Sequence, residues 1–441
     1  MATAMTAYPS RRVVITGIGL ISPLGNTKED FWKALFGGTS GVRELASVPA
    51  EHLPTRAAAE AWDFSGDIEN YGELEKDLKK QIRKSSKIMC REIQFGIAAA
   101  QRALNDAKLT ADVRDPDRTG VVFGADYMMT LPDDFVDGVN QCLDDERHFD
   151  FSRWAQSGLP KVEPLWLLKY LPNMPASYIA IFNDLRGPNN SITIREASAN
   201  LAIGEAFHII SRGGADAMIT GATGTRIHPV RTVHIALQEE LADRAREPAA
   251  ASRPFDAGRT GMVLGEGAGA LVLEELGAAE RRGARIYGEI VGAGSSSVMD
   301  VFGVANRRKA LTNCIRQTLR EADLTPADVG HYSAHGLSTR QCDIDEAVAV
   351  NEALGNGARA IPVVAAKSCF GNLGAGSGVV EAAASLLAMQ ENALYPTLNY
   401  DSPDPACPIR IAEAGAAPGD VFINANVTPQ GQASAIAVQR M

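Results

Sequence analysis

Closely spaced cysteines are missing from this chain. Its six cysteines, Cys90, Cys142, Cys314, Cys342, Cys369 and Cys407, are scattered with no CxxC pair. That leaves no basis for a zinc site or a disulfide framework, and a reducing cytoplasm is the expected compartment. Long apolar runs are missing too: none approaches the roughly 20 residues needed to span a bilayer, so no membrane insertion is expected. Positive charge is in deficit, with 43 Lys and Arg against 53 Asp and Glu and a formal net charge of −10. This argues against nonspecific nucleic-acid binding, although local basic patches remain allowed. Nothing in the sequence implies a metal or nucleotide cofactor.

What is present is an ordinary globular composition, 45% hydrophobic and 22% charged over 441 residues, enough for two core-sized units. Arg11-Arg12 and the apolar run 13–24 superficially match a secretion signal. Gly17, Gly19 and Pro23 interrupt that run, however, and no small-residue cleavage site follows. Residues 13–19 read instead as a buried first strand ending in a glycine turn. Short apolar runs bounded by glycine alternate with alanine-rich segments, the pattern of mixed sheets covered by helices.

The pattern occurs twice. Segment 104–113 recurs as 319–329, each copy closing a helix ahead of a strand, 120–124 in one and 331–335 in the other. Strands 13–19 and 287–292 open the two halves. Two glycine-containing hairpins close them: 261–275, with Gly265, Gly267 and Gly269 at its turn, and 421–440, turning at Pro429-Gln430-Gly431. A helix at 203–212 has its counterpart at 379–390. Several duplicated features in one order indicate an internal repeat, with halves at residues 11–277 and 284–441.

Stretch 191–207, SITIREASANLAIGEAF, resembles the active-site elbow of the β-ketoacyl-acyl-carrier-protein synthases: a short strand at 191–194, a turn, then a helix. Ala202-Ile203-Gly204-Glu205-Ala206 matches the family's helix letter for letter. Counting back from it places Glu196 where the family carries its catalytic cysteine. Further matches are VVITGIG at 13–19, LPNM at 171–174, SRPFD at 252–256, VLGEGAG at 263–269 and PTLNY at 396–400. The resemblance runs from Arg12 to Gln439 and is nearest to the elongating and polyketide ketosynthases. It implies the thiolase fold, an α/β architecture of duplicated halves in a five-layer αβαβα sandwich.

The resemblance also assigns positions. His335, in SAHGLST at 333–339, falls on the first family histidine. In KSCFGN at 367–372, Lys367 is kept and Asn372 stands at the second histidine; Glu381 matches the glutamate that pairs with that lysine. The family's phenylalanine–glycine gate, NSFGFGG, reads NANVTPQ at 424–430 here. In the family reaction a thiolate, favoured by a helix N-terminus, holds the growing acyl chain. A carboxylate at Glu196 is held ionised by the same dipole, yet it is a poor nucleophile whose acyl product would be a labile anhydride. His335 and Asn372 both remain able to donate hydrogen bonds to an oxyanion. Two readings of Glu196 stand: a structural salt bridge to Lys367 or Arg195, or a charge that blocks acyl loading. An unpaired buried carboxylate is costly, so a cationic or backbone partner is expected. Lys367 and Glu381 are expected to form a structural ion pair. Cys369 lies in a loop with nothing to lower its pKa, and Ser198 is expected to hydrogen-bond at the helix N-terminus.

Lys76, Lys79, Lys80, Arg83, Lys84 and Lys87 recur at helical spacing, forming either a docking face for an acidic acyl carrier protein or a solvated helix face. Arg307-Arg308-Lys309 is a smaller candidate of the same kind. Trp166 and Lys169, in EPLWLLKY at 163–170, are bulky for the neighbourhood of an acyl tunnel, and a narrowed or plugged tunnel is expected. Taken with the resemblance, these departures suggest a non-condensing subunit, similar in logic to a chain-length factor. It would pair with an active ketosynthase homologue, or with itself, in fatty-acid or polyketide biosynthesis. The alternatives are a malonyl-carrier decarboxylase using His335 and Asn372, and a non-catalytic carrier-binding scaffold.

Overall fold

The computed structural model describes residues 11–355 and 360–441. Five strands of the first half are β1 (Val13–Ile21), β2 (Thr119–Ala125), β3 (Asn189–Ile192), β4 (Ala217–Thr225) and β5 (Leu264–Glu275). They lie in the order β3-β2-β4-β5-β1, with β2 parallel to β3 and β4, and β5 antiparallel to β4 and β1. The second half repeats this with β6 (Gly288–Ser297), β7 (His331–Ser333), β8 (Pro362–Val364), β9 (Val421–Val427) and β10 (Gln432–Gln439). Their order is β8-β7-β9-β10-β6, with the same directions at every matching pair. Val13 to Ile15 of β1 pair with β6 and join the halves into one hydrogen-bonded path.

The helices used below are α1 (Lys76–Ser85), α2 (Arg91–Ala107), α3 (Met174–Asn183), α4 (Ser198–Ser211), α5 (Pro229–Gln238), α6 (Arg307–Glu321), α7 (Arg340–Leu354) and α8 (Ser377–Gln390). Helix α2 packs on β1, β5 and β4, with α3 beside it; α6 packs on β6, β10 and β9, with α7 beside it. Helices α4 and α8 touch each other and strands of both halves. They therefore form the middle layer of the five-layer sandwich that defines the thiolase fold. Burial on all sides explains their composition. Ala199, Ala202 and Ala206 of α4, and Ala382, Ala383, Ala384 and Ala388 of α8, are buried with little or no exposure, because only small side chains let a helix approach two sheets at once.

Residues 264–275 are not a hairpin. They form the single strand β5, flanked on both sides by antiparallel neighbours. Its glycines serve packing: a Cβ on Gly265 would lie 2.9 Å from Leu373, one on Gly267 2.6 Å from the Ile21 carbonyl, and one on Gly269 2.9 Å from Val379. The second hairpin is present, β9 and β10 turning at Thr428 to Gly431. Among the described residues no helix is long and apolar enough to cross a membrane, and no cluster of His, Cys, Asp and Glu could hold a metal ion.

Candidate functional site

Strand β3 ends at Ile192, and the chain turns sharply into α4 through Arg195 to Ala197. Arg195 has φ +45°, a left-handed conformation that side chains other than glycine adopt only under strain. Ser198 ties the elbow down: its hydroxyl accepts from Ile194 N–H at 2.8 Å and donates to the Ala125 carbonyl at 3.2 Å. The turn places Glu196, 1% exposed, at the start of α4.

Glu196 does not meet Lys367. Its main partner is Arg226, a fully buried residue directly after β4, which donates to Glu196 Oε1 and lies 3.0 Å from Asp126, directly after β2. Arg195 Nε is 3.5 Å from Glu196 Oε2, while its guanidinium donates to Glu239 at 2.6 Å. Asn372 Nδ2 donates to Glu196 Oε1 at 3.2 Å. Burial alone would push the Glu196 carboxyl up, but Arg226 first and Arg195 second overcome it and hold it well below the usual carboxylate range. Glu196 is thus a locked anion at the centre of a buried ion cluster.

The second cluster surrounds His335. Lys367 Nζ donates to the His335 carbonyl at 2.7 Å and to Glu381, and lies 3.3 Å from His335 Nδ1. The other Glu381 oxygen accepts from Asn426 at 2.8 Å. The loop that presents His335 is held by two buried carboxylates of α7. Glu346 accepts from the N–H groups of His335 and Gly336, and Asp343 from those of Leu337, Ser338 and Phe255. Burial pushes both carboxyls up to about 7. Burial also drives the His335 pKa far down, with the Lys367 charge adding to it, so the ring is neutral.

The structure therefore brings Glu196 and Asn372 together, and His335, Lys367 and Glu381 beside them. The sequence reading missed Arg226, Asp126 and Glu239, and it marked Asn426 only as a lost gate residue, not as a partner of Glu381. Burial pushes the Cys369 thiol up to about 12. Trp166 packs edge-on against Phe135, and Lys169 pairs with Asp134 at 2.9 Å. Neither lines the cavity of about 450 Å³ that opens beside α4, which is bordered by Ile192, Ile194, Asn200, Leu201 and Ala293. Both side chains are bound up in their own segment, away from that cavity. On α1, Lys76, Lys80, Arg83 and Lys84 are exposed and Lys79 is partly so; Lys87 is exposed just beyond the helix. Arg307 and Arg308 are instead paired with Asp345 and Glu352.

One pH effect follows from this region. The His228 ring nitrogen caps α5, accepting from Val230 and Arg231 N–H. Burial, then the Arg231 charge, lowers its pKa to about 4. Its folded-state pKa thus lies below the unfolded value near 6.5, so its contribution is complete above pH 6.5 and lost as pH falls through about 4. Urea-unfolding midpoints should show this acid limb, and His228→Asn, which keeps a capping oxygen, should make it shallower.

The chain matches the model of the "Beta-ketoacyl synthase, N-terminal domain" over residues 10–279 and that of the "Beta-ketoacyl synthase, C-terminal domain" over residues 287–401. It is 35% identical over 404 residues to a 3-oxoacyl-[acyl-carrier-protein] synthase 2 of Synechocystis sp., covering 91% of each chain. Among solved structures it is similar to the ishigamide ketosynthase/chain length factor, with TM-score 0.81, 26% identity, and 98% of this chain and 100% of that one covered. The same values hold for a chain of a type II polyketide synthase acyl-carrier protein in complex with its ketosynthase bound to the hexaketide.

Proposed function

The chain belongs to the β-ketoacyl synthase family, and from that premise we propose that it is a non-condensing member, the partner subunit of an active ketosynthase in fatty-acid or polyketide biosynthesis. One observation carries the reading. Glu196, at the elbow where the family's nucleophile belongs, is an anion engaged by Arg226, Arg195 and Asn372. An anion so held is a poor nucleophile toward a thioester, and its charge opposes acyl loading. Asn426, at the position of the family's gate, is fully buried and hydrogen-bonded inward, which supports a fixed wall rather than a moving one. The likeness to a ketosynthase/chain length factor structure accords with the partner role.

The test is co-production with a ketosynthase homologue that carries the cysteine. A mixed dimer should form, and carbon–carbon bond formation from malonyl-carrier should require that homologue. Condensation by this chain alone, or a stable homodimer that recruits no ketosynthase, overturns the reading.

A second reading, malonyl-carrier decarboxylation, draws on the buried His335 Nε2, which has no hydrogen-bond partner among the described residues. Against it, the Asn372 amide is committed to Glu196, and a locked carboxylate would repel both malonate and its enolate. Carbon dioxide release by the isolated protein, abolished by His335→Ala, would establish it.

The exposed basic face of α1 is the proposed docking surface for an acidic carrier protein. Exposed ion pairs contribute ~0.2–1 kcal/mol each, so reversing Lys80, Arg83 and Lys84 to glutamate should weaken carrier binding about tenfold or more. It should also flatten the salt dependence, as read by titration calorimetry at two ionic strengths.

A further inference from the structure

Three asparagines from the two halves meet in the core: Asn200 on α4, and Asn424 and Asn426 on β9, each at most 1% exposed. Their hydrogen bonds run in one direction only. The Glu381 carboxylate can only accept, so the Asn426 NH2 must face it, at 2.8 Å. The Asn426 carbonyl oxygen then accepts from Asn200 Nδ2 at 2.9 Å. The Asn200 carbonyl oxygen in turn accepts from Asn424 Nδ2 at 2.9 Å, and Asn424 Nδ2 also donates to the Gly378 carbonyl at 2.8 Å. With an obligate acceptor at each end, no amide in the chain can flip without breaking its neighbours' bonds.

This direction has a consequence for His335. Asn426 Nδ2 lies 3.3 Å from His335 Nδ1, and so does Lys367 Nζ. Both are donors, so Nδ1 must be the bare nitrogen. Nε2 carries the proton, and it is buried without a hydrogen-bond partner among the described residues.

We propose that Asn426, backed by Asn200 and Asn424, is a positioning residue that fixes His335 in the Nε2–H tautomer and presents that N–H as an unspent buried donor. The inference goes beyond the partner-subunit reading and is independent of it, because the tautomer belongs to the isolated chain and is read without turnover or a partner. A strut that merely supported β9 would leave the imidazole protons untouched.

The experiment is histidine-selective 15N labelling of the full chain, with long-range 1H–15N correlation of the imidazoles and His335 assigned from the signal lost in His335→Gln. The wild-type ring is expected as a single tautomer, protonated on Nε2. Asn426→Leu deletes the amide at similar volume and leaves Lys367 as the one donor facing Nδ1, so a minor Nδ1–H population of His335 is expected to appear while the other histidines keep their signals. A wild-type His335 protonated on Nδ1, or an unchanged single tautomer in folded Asn426→Leu, overturns the proposal. If Asn426→Leu does not fold, Asn426→Ala, which also deletes the amide facing His335 Nδ1, carries the same two outcomes.

Discussion

Replacing Arg226 with methionine is expected to lower stability by about 3–5 kcal/mol, the range for stranding a buried charge by removing its partner. The guanidinium is fully buried and serves two carboxylates, Asp126 and Glu196, neither of which reaches water. Without it, Arg195 alone remains near Glu196, at 3.5 Å and already donating to Glu239. Glu196 and Glu239 then share one guanidinium, and Asp126 loses its ion-pair partner. The sharper expectation concerns the second site. Glu196→Gln removes a favourable partner of Arg226 in the native background and should be neutral to destabilising there. In the Arg226→Met background the same change removes a stranded charge and should restore part of the loss. Urea unfolding of the two single variants and the double variant measures this coupling directly; additive effects would show that the cluster does not act as a unit. The pH dependence should change as well. With its folded pKa held below the unfolded value near 4.5, Glu196 contributes stability above that pH and loses it as pH falls further. Arg226→Met should erase this contribution.

Gly19→Ala is expected to be as damaging, at about 3 kcal/mol or more, the upper end of overpacking costs. A Cβ on Gly19 would lie 1.9 Å from the Ala99 carbonyl oxygen and 2.5 Å from Ala103 N, both backbone atoms of α2. A helix backbone cannot swing aside as a side-chain tip can, so β1 and α2 would have to separate. Because β1 also joins the two halves, soluble yield and the denaturation midpoint should fall together. A variant of near-native stability would mean that α2 can slide along β1.

The duplication was legible because glycine-bounded strands and alanine-rich helices recur in one order, and each has its mate in the structure. The reading failed at 261–275 because glycine carries two meanings. In β5 it permits close approach of Leu373, Ile21 and Val379, not a turn. The elbow, Asn372 and the Lys367–Glu381 pair were found through the resemblance to the family's motifs, position by position. Arg226 and Asp126 were not, since no spacing rule links residues 100 apart in sequence. A signal did exist: each directly follows a glycine-containing apolar strand, and parallel pairing of β2 with β4 brings those strand ends together. Opposite charges in matching places after two buried strands are a cue to a buried ion pair. Asn426 was noted only for the phenylalanine it lacks. Its bonds to residues from both halves are a tertiary property that a linear pattern does not carry.

The sheet has two ends, and they are finished differently. Beyond β8 the second half adds Arg410–Ile411 as a parallel cover, whereas beyond β3 the first half adds nothing among the described residues. What limits strand addition there is length: the edge strand has only 4 residues, with Pro188 directly before it. The outer edge of β3 is therefore short, and one of its amides, Ser191 N–H, is already taken by the Asn190 side chain at 2.8 Å. An edge finished by brevity instead of a covering strand leaves little backbone for a stray peptide to grip, and lengthening it would raise the risk of clumping.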